Sequence, residues 1–458
     1  MSGLNAALNS GKTSLLTNQK AIEVTGLNVA NVNTPGYSRQ TPYLDPYPAL
    51  TFGDYFIGTG VTVGKVMRSH DSFLAGQIND KAAEYGYENS QINTLAEIER
   101  ELGVGDDSLS AELDQFFDAW RQLSTNPGGE VERQQVLQRG ALLADKFHNM
   151  DKGLDQVVNN INVDLDGKLE GINQNLYEIA DLNKRISTLE LSGQDANSDR
   201  DRRDLLLKGL SETLGVTGFE TSTNTLSVQL PNGMPLVEGD VVTPIEGYYS
   251  GTNYQLRLKF GDTNIDLDRN SVGGEVGGLF QVRDVVIPDV RDRLDTLAYE
   301  ITNRINTQHE LGTGLDGVSS RDFFVPLAGV TDAASSIELN LSQTYEIAAG
   351  TTSAPGDNTN ALAILDLESA QTLGSDTFVS YYGKIAATVG VETARNRQAT
   401  EGLRDSLDSL NNLRDGVDGV SLEEEMISLL KYQKGYEASA KFLSTVDEML
   451  DTLMTLKR

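Results

Sequence analysis

The chain of 458 residues contains no cysteine. Disulfides, thiolate metal ligands and thiol nucleophiles are therefore excluded. Its three histidines, His70, His148 and His309, are far apart, and none sits in a paired metal-ligand motif. No run approaches the roughly 18 apolar residues of a membrane span. The start, Met1-Ser2-Gly3-Leu4-Asn5-Ala6-Ala7-Leu8, lacks the basic region and apolar stretch of a cleavable secretory signal. Basic residues are few, 37 against 67 acidic, for a net charge of -30. That field repels phosphate backbones, so nucleic-acid binding is not expected. A soluble chain of two to four domains is expected from the length.

The charge that is present is unevenly placed. Residues 1–33 carry a net +1 and residues 421–458 a net -2, leaving -29 for the segment between. Nearly neutral ends can approach copies of themselves, while an acidic middle stays solvated. Periodicity points the same way. Leu8, Leu15, Ile22 and Val29 recur every seven residues, with Leu4, Gly11, Asn18, Thr25 and Val32 as a companion row. This is an a/d seam with polar entries. Near the other end a stripe runs through Leu422, Met426, Leu429, Tyr436, Ala440, Leu443, Val446, Leu450, Leu453 and Leu456, mostly in steps of three or four. An apolar stripe is more often core than interface. The polar seam residues Asn18, Thr25, Gln433 and Asp447 favour a register-setting role in an assembly. The candidate assembly interface is Leu4, Leu8, Leu15, Ile22, Val29, Met426, Leu429, Tyr436, Ala440, Leu443, Val446, Leu450 and Leu453.

The middle reads as a helical rod interrupted by a β insertion. Residues 34–68 are turn-rich with short alternating runs. Residues 69–101 and 108–125 have helical periodicity, broken by Pro127-Gly128-Gly129. A very long helical pattern covers about 130 to 190, a length that suits a rod-like bundle better than a compact globule. Residues 215–272 are rich in Thr, Val, Gly and Tyr, and Leu256-Arg257-Leu258-Lys259-Phe260 alternates like a strand. Helical patterns return at about 275–311 and 376–413, and Gly416-Val417-Asp418-Gly419 reads as a hinge. The expected fold is mainly α. Terminal helices 1–33 and 421–458 pair as a coiled-coil-like assembly domain. A helical rod follows, at 34–214, 275–312 and 371–420. The β domain is inserted at 215–274, and the mixed segment 313–370 is unassigned. This nesting places both termini at one end and the β part at the other.

Apparent chemical motifs fail. Gly11-Lys12-Thr13 has Ala6 where a phosphate-binding loop needs its first glycine. Gly58-Thr59-Gly60-Val61-Thr62-Val63-Gly64 is one residue too long for a dinucleotide fingerprint. Asn162, Asp164, Asp166 and Gly167 mimic a calcium loop, but its twelfth position is Asn173 and the region is helical. No catalytic residue, metal or cofactor is expected, and the chain reads as a non-enzyme.

One motif carries weight. The first helix runs into Ala30-Asn31-Val32-Asn33-Thr34-Pro35-Gly36-Tyr37-Ser38-Arg39-Gln40. Pro35 disfavours helix at Thr34, and Pro-Gly suits a type II turn with Gly36 at positive φ. This string after a seam helix resembles the flagellar rod, hook and hook-associated family, whose turn motif falls here on Asn31, Thr34, Pro35, Gly36 and Tyr37. Leu430-Lys431-Tyr432-Gln433-Lys434-Gly435-Tyr436-Glu437-Ala438 and Val446-Asp447-Glu448-Met449-Leu450 resemble the same family's C-terminal signature. Within it, Tyr37-Ser38-Arg39-Gln40 and the stretch Gly273-Gly274-Glu275-Val276-Gly277-Gly278-Leu279 favour the hook-associated members. The resemblance implies a ring of identical subunits at the hook–filament junction. Hook protein would lie below it and the second junction protein, hook-associated protein 3, above. It also implies a cytoplasmic chaperone and type III export to the extracellular flagellum. The alternatives are another flagellar axial protein, or an adhesin or glycan-binding module on the inserted β domain.

Overall fold

The computed structural model describes residues 2–52, 55–103, 105 and 108–456. Helix α1 (Ser2–Ala30) ends at the predicted turn: the Tyr37 N–H reaches the Thr34 carbonyl at 3.2 Å, and Gly36 takes φ +77°. Strands β1 (Gln40–Pro46) and β4 (Val61–Arg68) form an antiparallel hairpin, with β2 (Leu50–Phe52) and β3 (Tyr55–Ile57) paired between them. The hairpin lies on α1, since the hydroxyls of Thr13 and Thr17 donate to the carbonyls of Thr59 and Val61 at 3.1 and 2.9 Å. Residues 40–68 thus pack with the terminal helix. The sequence grouped them with the rod because short, half-exposed strands carry no partner signal.

Helices α2 (Ser72–Leu102), α3 (Leu109–Thr125), α4 (Glu130–Leu191) and α5 (Asn197–Leu214) follow. Asp71 and Ser108 cap the first two by accepting backbone N–H groups. α4 has 62 residues, a length of about 93 Å at helical rise. α5 stops at Gly215, φ +69°, where a Cβ would lie 2.7 Å from the Cα of Gly273. Seven strands follow in two antiparallel meanders: β5 (Thr217–Glu220), β6 (Leu226–Gln229), β7 (Pro235–Glu238) and β8 (Val241–Val242), then β9 (Ile245–Ser250), β10 (Asn253–Phe260) and β11 (Thr263–Leu267). Helices α6 (Gly274–Gln281) and α7 (Ile287–Glu310) are joined by one π turn, and α8 (Ala333–Ser336), α9 (Thr359–Ser369), α10 (Phe378–Val417) and α11 (Leu422–Leu456) complete the chain.

The sheets are held by three asparagines of α4. Asn162 donates to Thr252 O and accepts from Tyr254 N; Asn173 does the same with both backbone groups of Ile245. Asn183 donates to Leu226 O and Gly239 O and accepts from Leu226 N, at 2.7–2.8 Å. Spacings of 11 and 10 residues are close to three helical turns, so all three point to one side. Asn162 and Asp166, which read as fragments of a calcium loop, are employed here instead, Asp166 accepting from the Tyr254 hydroxyl.

This placement corrects the expected nesting. The sheets lie along the C-terminal half of α4, and just beyond its end Asn197 donates to Val66 O at 2.7 Å, beside the terminal tier. The other end of α4 carries the mixed segment. Arg133, buried, donates to the carbonyls of Pro127, Thr344 and Ile347. Phe116, Trp120, Phe323 and Phe324 fill the space with ring centroids 4.8–6.4 Å apart.

His309 is sealed in this cluster. Its Nδ1 donates to Arg321 O at 2.7 Å, and its Nε2 accepts from Ala348 N at 2.9 Å, which requires the neutral ring. Burial pushes its pKa down to about 4, outweighing the hydrogen bond to the Arg321 carbonyl and the nearby Asp322, while the charges of Arg321 and Arg133 act in the same direction as burial. The sign follows from linkage: neutral His309 contributes fully above the unfolded value of about 6.5, and that contribution is lost as pH falls from there to about 4. The expected loss is about 3 kcal/mol. Urea midpoints at pH 7.5 and 4.5 should converge more for His309→Gln than for the parent. Equal pH dependence would remove His309 as the source.

Candidate assembly surface of the terminal helices

α1 and α11 form an antiparallel pair. The hydroxyls of Ser14 and Ser439 meet at 2.8 Å. A Cβ on Gly11 would lie 2.9 Å from Leu443, and one on Gly435 2.5 Å from the Asn18 amide. Asn28 donates to Glu425 at 3.0 Å. Small residues thus set the close approach, and the face that α1 turns to α11 is the companion row, Gly11, Asn18 and Thr25, with Ser14. Gly11→Val should loosen the pair by about 1–2 kcal/mol through overpacking. Faster amide exchange over 435–446, with α4 unchanged, is the expected reading.

The heptad row Leu4, Leu8, Leu15, Ile22 and Val29 is half-buried. At about 100° per residue it sits on the flank of α1 next to the α11-facing side and away from the β hairpin. In the antiparallel pair the same flank of α11 carries Met426, Leu429, Tyr436 and Ala440. Met426 is 52% exposed and Tyr436 37%. Leu443 and Leu450 border it, half-buried. Two residues depart from the expected stripe. Val446 is buried within the chain and is not available to a partner. The register carries Leu453 past Ser2, the first described residue of α1, where it is exposed. A stripe of mixed three- and four-residue steps drifts around a straight helix, and only the pairing shows where it leaves the seam.

The turn motif ends in a polar knot. All the hydrogen-bonding capacity of the Asn28 amide is used: Nδ2 donates to Gln40 O and Glu425, and Oδ1 accepts from Gln40 N and the Tyr37 hydroxyl. Arg39 pairs with Glu425 and Glu424, each at 2.7 Å. The Ser38 N–H and Arg68 both bind Asp201 of α5. Burial, then Asp201 and Glu425, push the Tyr37 phenol up to about 12. Asn31 and Thr34 bond each other at 3.1 Å in the exposed turn beside Pro35. The expected hinge at 416–419 is clamped. α10 continues to Val417, and buried Asp418 accepts from Ser69 Oγ and Asp71 N while its carbonyl takes the Arg39 N–H. The segment that looks mobile in sequence is here the end of α10, capped at Asp418 and held by residues hundreds of positions away in the chain. Arg68, Asp201 and Glu425 carry no signal in the sequence, where each is an ordinary charge, and Arg39 and Asp418 stand there only as members of the turn motif and the expected hinge.

Comparison with known proteins agrees with this architecture. Residues 95–324 match the family described as flagellar hook-associated protein FlgK helical domain. Residues 8–37 match the flagella basal body rod protein family and 418–456 the flagellar basal body rod FlgEFG protein C-terminal family. Flagellar hook-associated protein 1 of Bacillus subtilis is 27% identical, covering 98% of this chain and 97% of the relative. Its namesake in Escherichia coli is 24% identical over 100% and 98%. The solved flagellar hook junction protein FlgK from Burkholderia pseudomallei has the same fold, with a TM-score of 0.68 at 14% identity over 75% of this chain and 100% of that one. With half its length in the helical domain of that family and a rod-type segment at each end, the chain belongs to the flagellar hook-associated proteins, structural components of the bacterial flagellum.

Proposed function

We propose that the chain is a structural subunit of the junction between hook and filament, assembling into a ring through the apolar flank of its terminal helix pair. The observation that carries this is the pairing of two seams, Leu4 to Val29 and Met426 to Ala440, on one half-exposed flank of a nearly charge-neutral tier. The acidic rod and the sheets would remain outside that tier, solvated. Hook protein is the partner below and hook-associated protein 3 the partner above. Delivery is through the flagellar type III channel with a cytoplasmic chaperone. No catalytic role is assigned. Electron microscopy of sheared hook–filament complexes with the protein labelled tests the reading: label confined to the hook–filament boundary is expected. Label along the hook or at the rod would instead make it another axial subunit.

A further inference from the structure

On the side of α1 remote from α11, where the helix meets the β1–β4 hairpin, lies a groove of about 740 Å³. Lys12, Lys20 and Lys65 line it, together with Leu16 and Tyr47. Its carboxylate, Asp195, is already held by the Val66 N–H at 2.6 Å. Lys20 pairs only with exposed Glu23, and Lys12 and Lys65 have no ion-pair partner among the described residues. Leu16 and Tyr47 are half exposed, at 52% and 48%. Three cations around exposed apolar surface are unusual in a chain of net charge -30.

The first turns of α11 are the complement. Ile427 and Leu430 are exposed, and Glu423 has no ion-pair partner among the described residues. Helical periodicity turns Glu423 and Leu430 away from α1, as it turns Lys12, Leu16 and Lys20 away from α11. The groove and the acidic apolar knob therefore occupy opposite sides of one helix pair. They cannot meet within a chain. A contact between chains through these two surfaces would be heterologous, the kind that closes a ring when the rotation is right.

We propose that the groove receives the start of α11 from a second copy of this chain, with Glu423 between Lys12 and Lys65 and the apolar side chains of Ile427 and Leu430 on Leu16 and Tyr47. This rests on the reading that the terminal tier carries the subunit contacts, and adds to the apolar flank a second contact between neighbours. The natural absence of cysteine makes the test clean. Lys65→Cys with Glu423→Cys should give intermolecular disulfide ladders in sheared hook–filament complexes after mild oxidation, while either cysteine alone stays monomeric. Complexes that contain the double variant and keep their filaments, yet run only as monomer, overturn the proposal. So does a dimer from one cysteine alone, which marks a symmetric contact. The second measurement is charge reversal. Lys65→Glu should lower incorporation about tenfold, and adding Glu423→Lys should restore it. Lack of restoration overturns the pairing, for instance by leaving an acidic segment of another axial protein as the occupant. Failure of the underlying reading looks different: unmodified label would be missing from the boundary altogether.

Discussion

Replacing Leu443 with glutamate is expected to abolish stable incorporation, so that cells shed filament protein into the medium and stop swimming. Leu443 packs over Gly11 at the close approach of α1 and α11 and borders the exposed flank. Burying a leucine there contributes roughly 1.5–3 kcal/mol, and an unpaired carboxylate in its place adds a cost of about 1–3 kcal/mol more. In a ring the loss recurs at every contact. The rod should be spared, because no α1 or α11 residue belongs to the main hydrophobic core among the described residues. The thermal melt of the core should therefore be unchanged, while amide exchange in α1 and α11 accelerates. Lys441→Glu is the matched control, exposed two residues away and directed off the pair. Normal motility of the Leu443 variant, or equal behaviour of the two, would show that this face carries no assembly energy.

Asn183→Leu should have the largest effect on the insertion. Asn183 satisfies both backbone groups of Leu226 and the carbonyl of Gly239, and its Oδ1 also takes a bond from buried Arg203. Leucine fits the space but leaves these groups without partners, at a cost of about 3–5 kcal/mol when several buried bonds are lost together. Because β5–β8 is a small sheet seated on α4, the expected result is selective cleavage within 217–242 by a dilute protease, ahead of any cleavage in α4. Gly239 accepts through a carbonyl, so Gly239→Ala is no equivalent test; Asn173→Leu is, and should release β9 and β10 in preference. If Asn183→Leu resists protease like the parent, apolar packing alone seats the sheet.

The helices were legible for a simple reason. Leu143, Phe147, Met150, Leu154, Val157 and Ile161 repeat at helical period, and each is buried in α4. The turn at Pro35-Gly36 was legible because proline and glycine restrict backbone angles locally. The assembly flank was half legible. Its apolar rows and the Gly11 and Asn18 companion row stood out, but the contact line between α1 and α11 also takes in Ser14, Gly435 and Ser439, residues whose small or polar side chains look like a solvent face. The asparagine mounts had the same disguise. On a helix read alone, Asn162, Asn173 and Asn183 are merely polar positions, and their 11- and 10-residue spacing gains meaning only beside unpaired strand backbone.

What the sequence by itself determined is therefore what local physics controls. Period sets helix length, charge sets which segments can crowd together, and the absence of cysteine excludes thiol chemistry. What only the tertiary structure decided is everything that depends on distant residues meeting. The sheets settled along α4 and not at its far end, the 416–419 segment became a clamp and not a hinge, and the 40–68 hairpin joined the terminal tier. In each case the deciding bonds join residues dozens to hundreds of positions apart, such as Ser69 with Asp418 or Asn162 with Thr252. A carboxylate, amide or hydroxyl has no directional preference along its own chain. Its partner is chosen by whichever backbone or charge burial brings within about 3 Å.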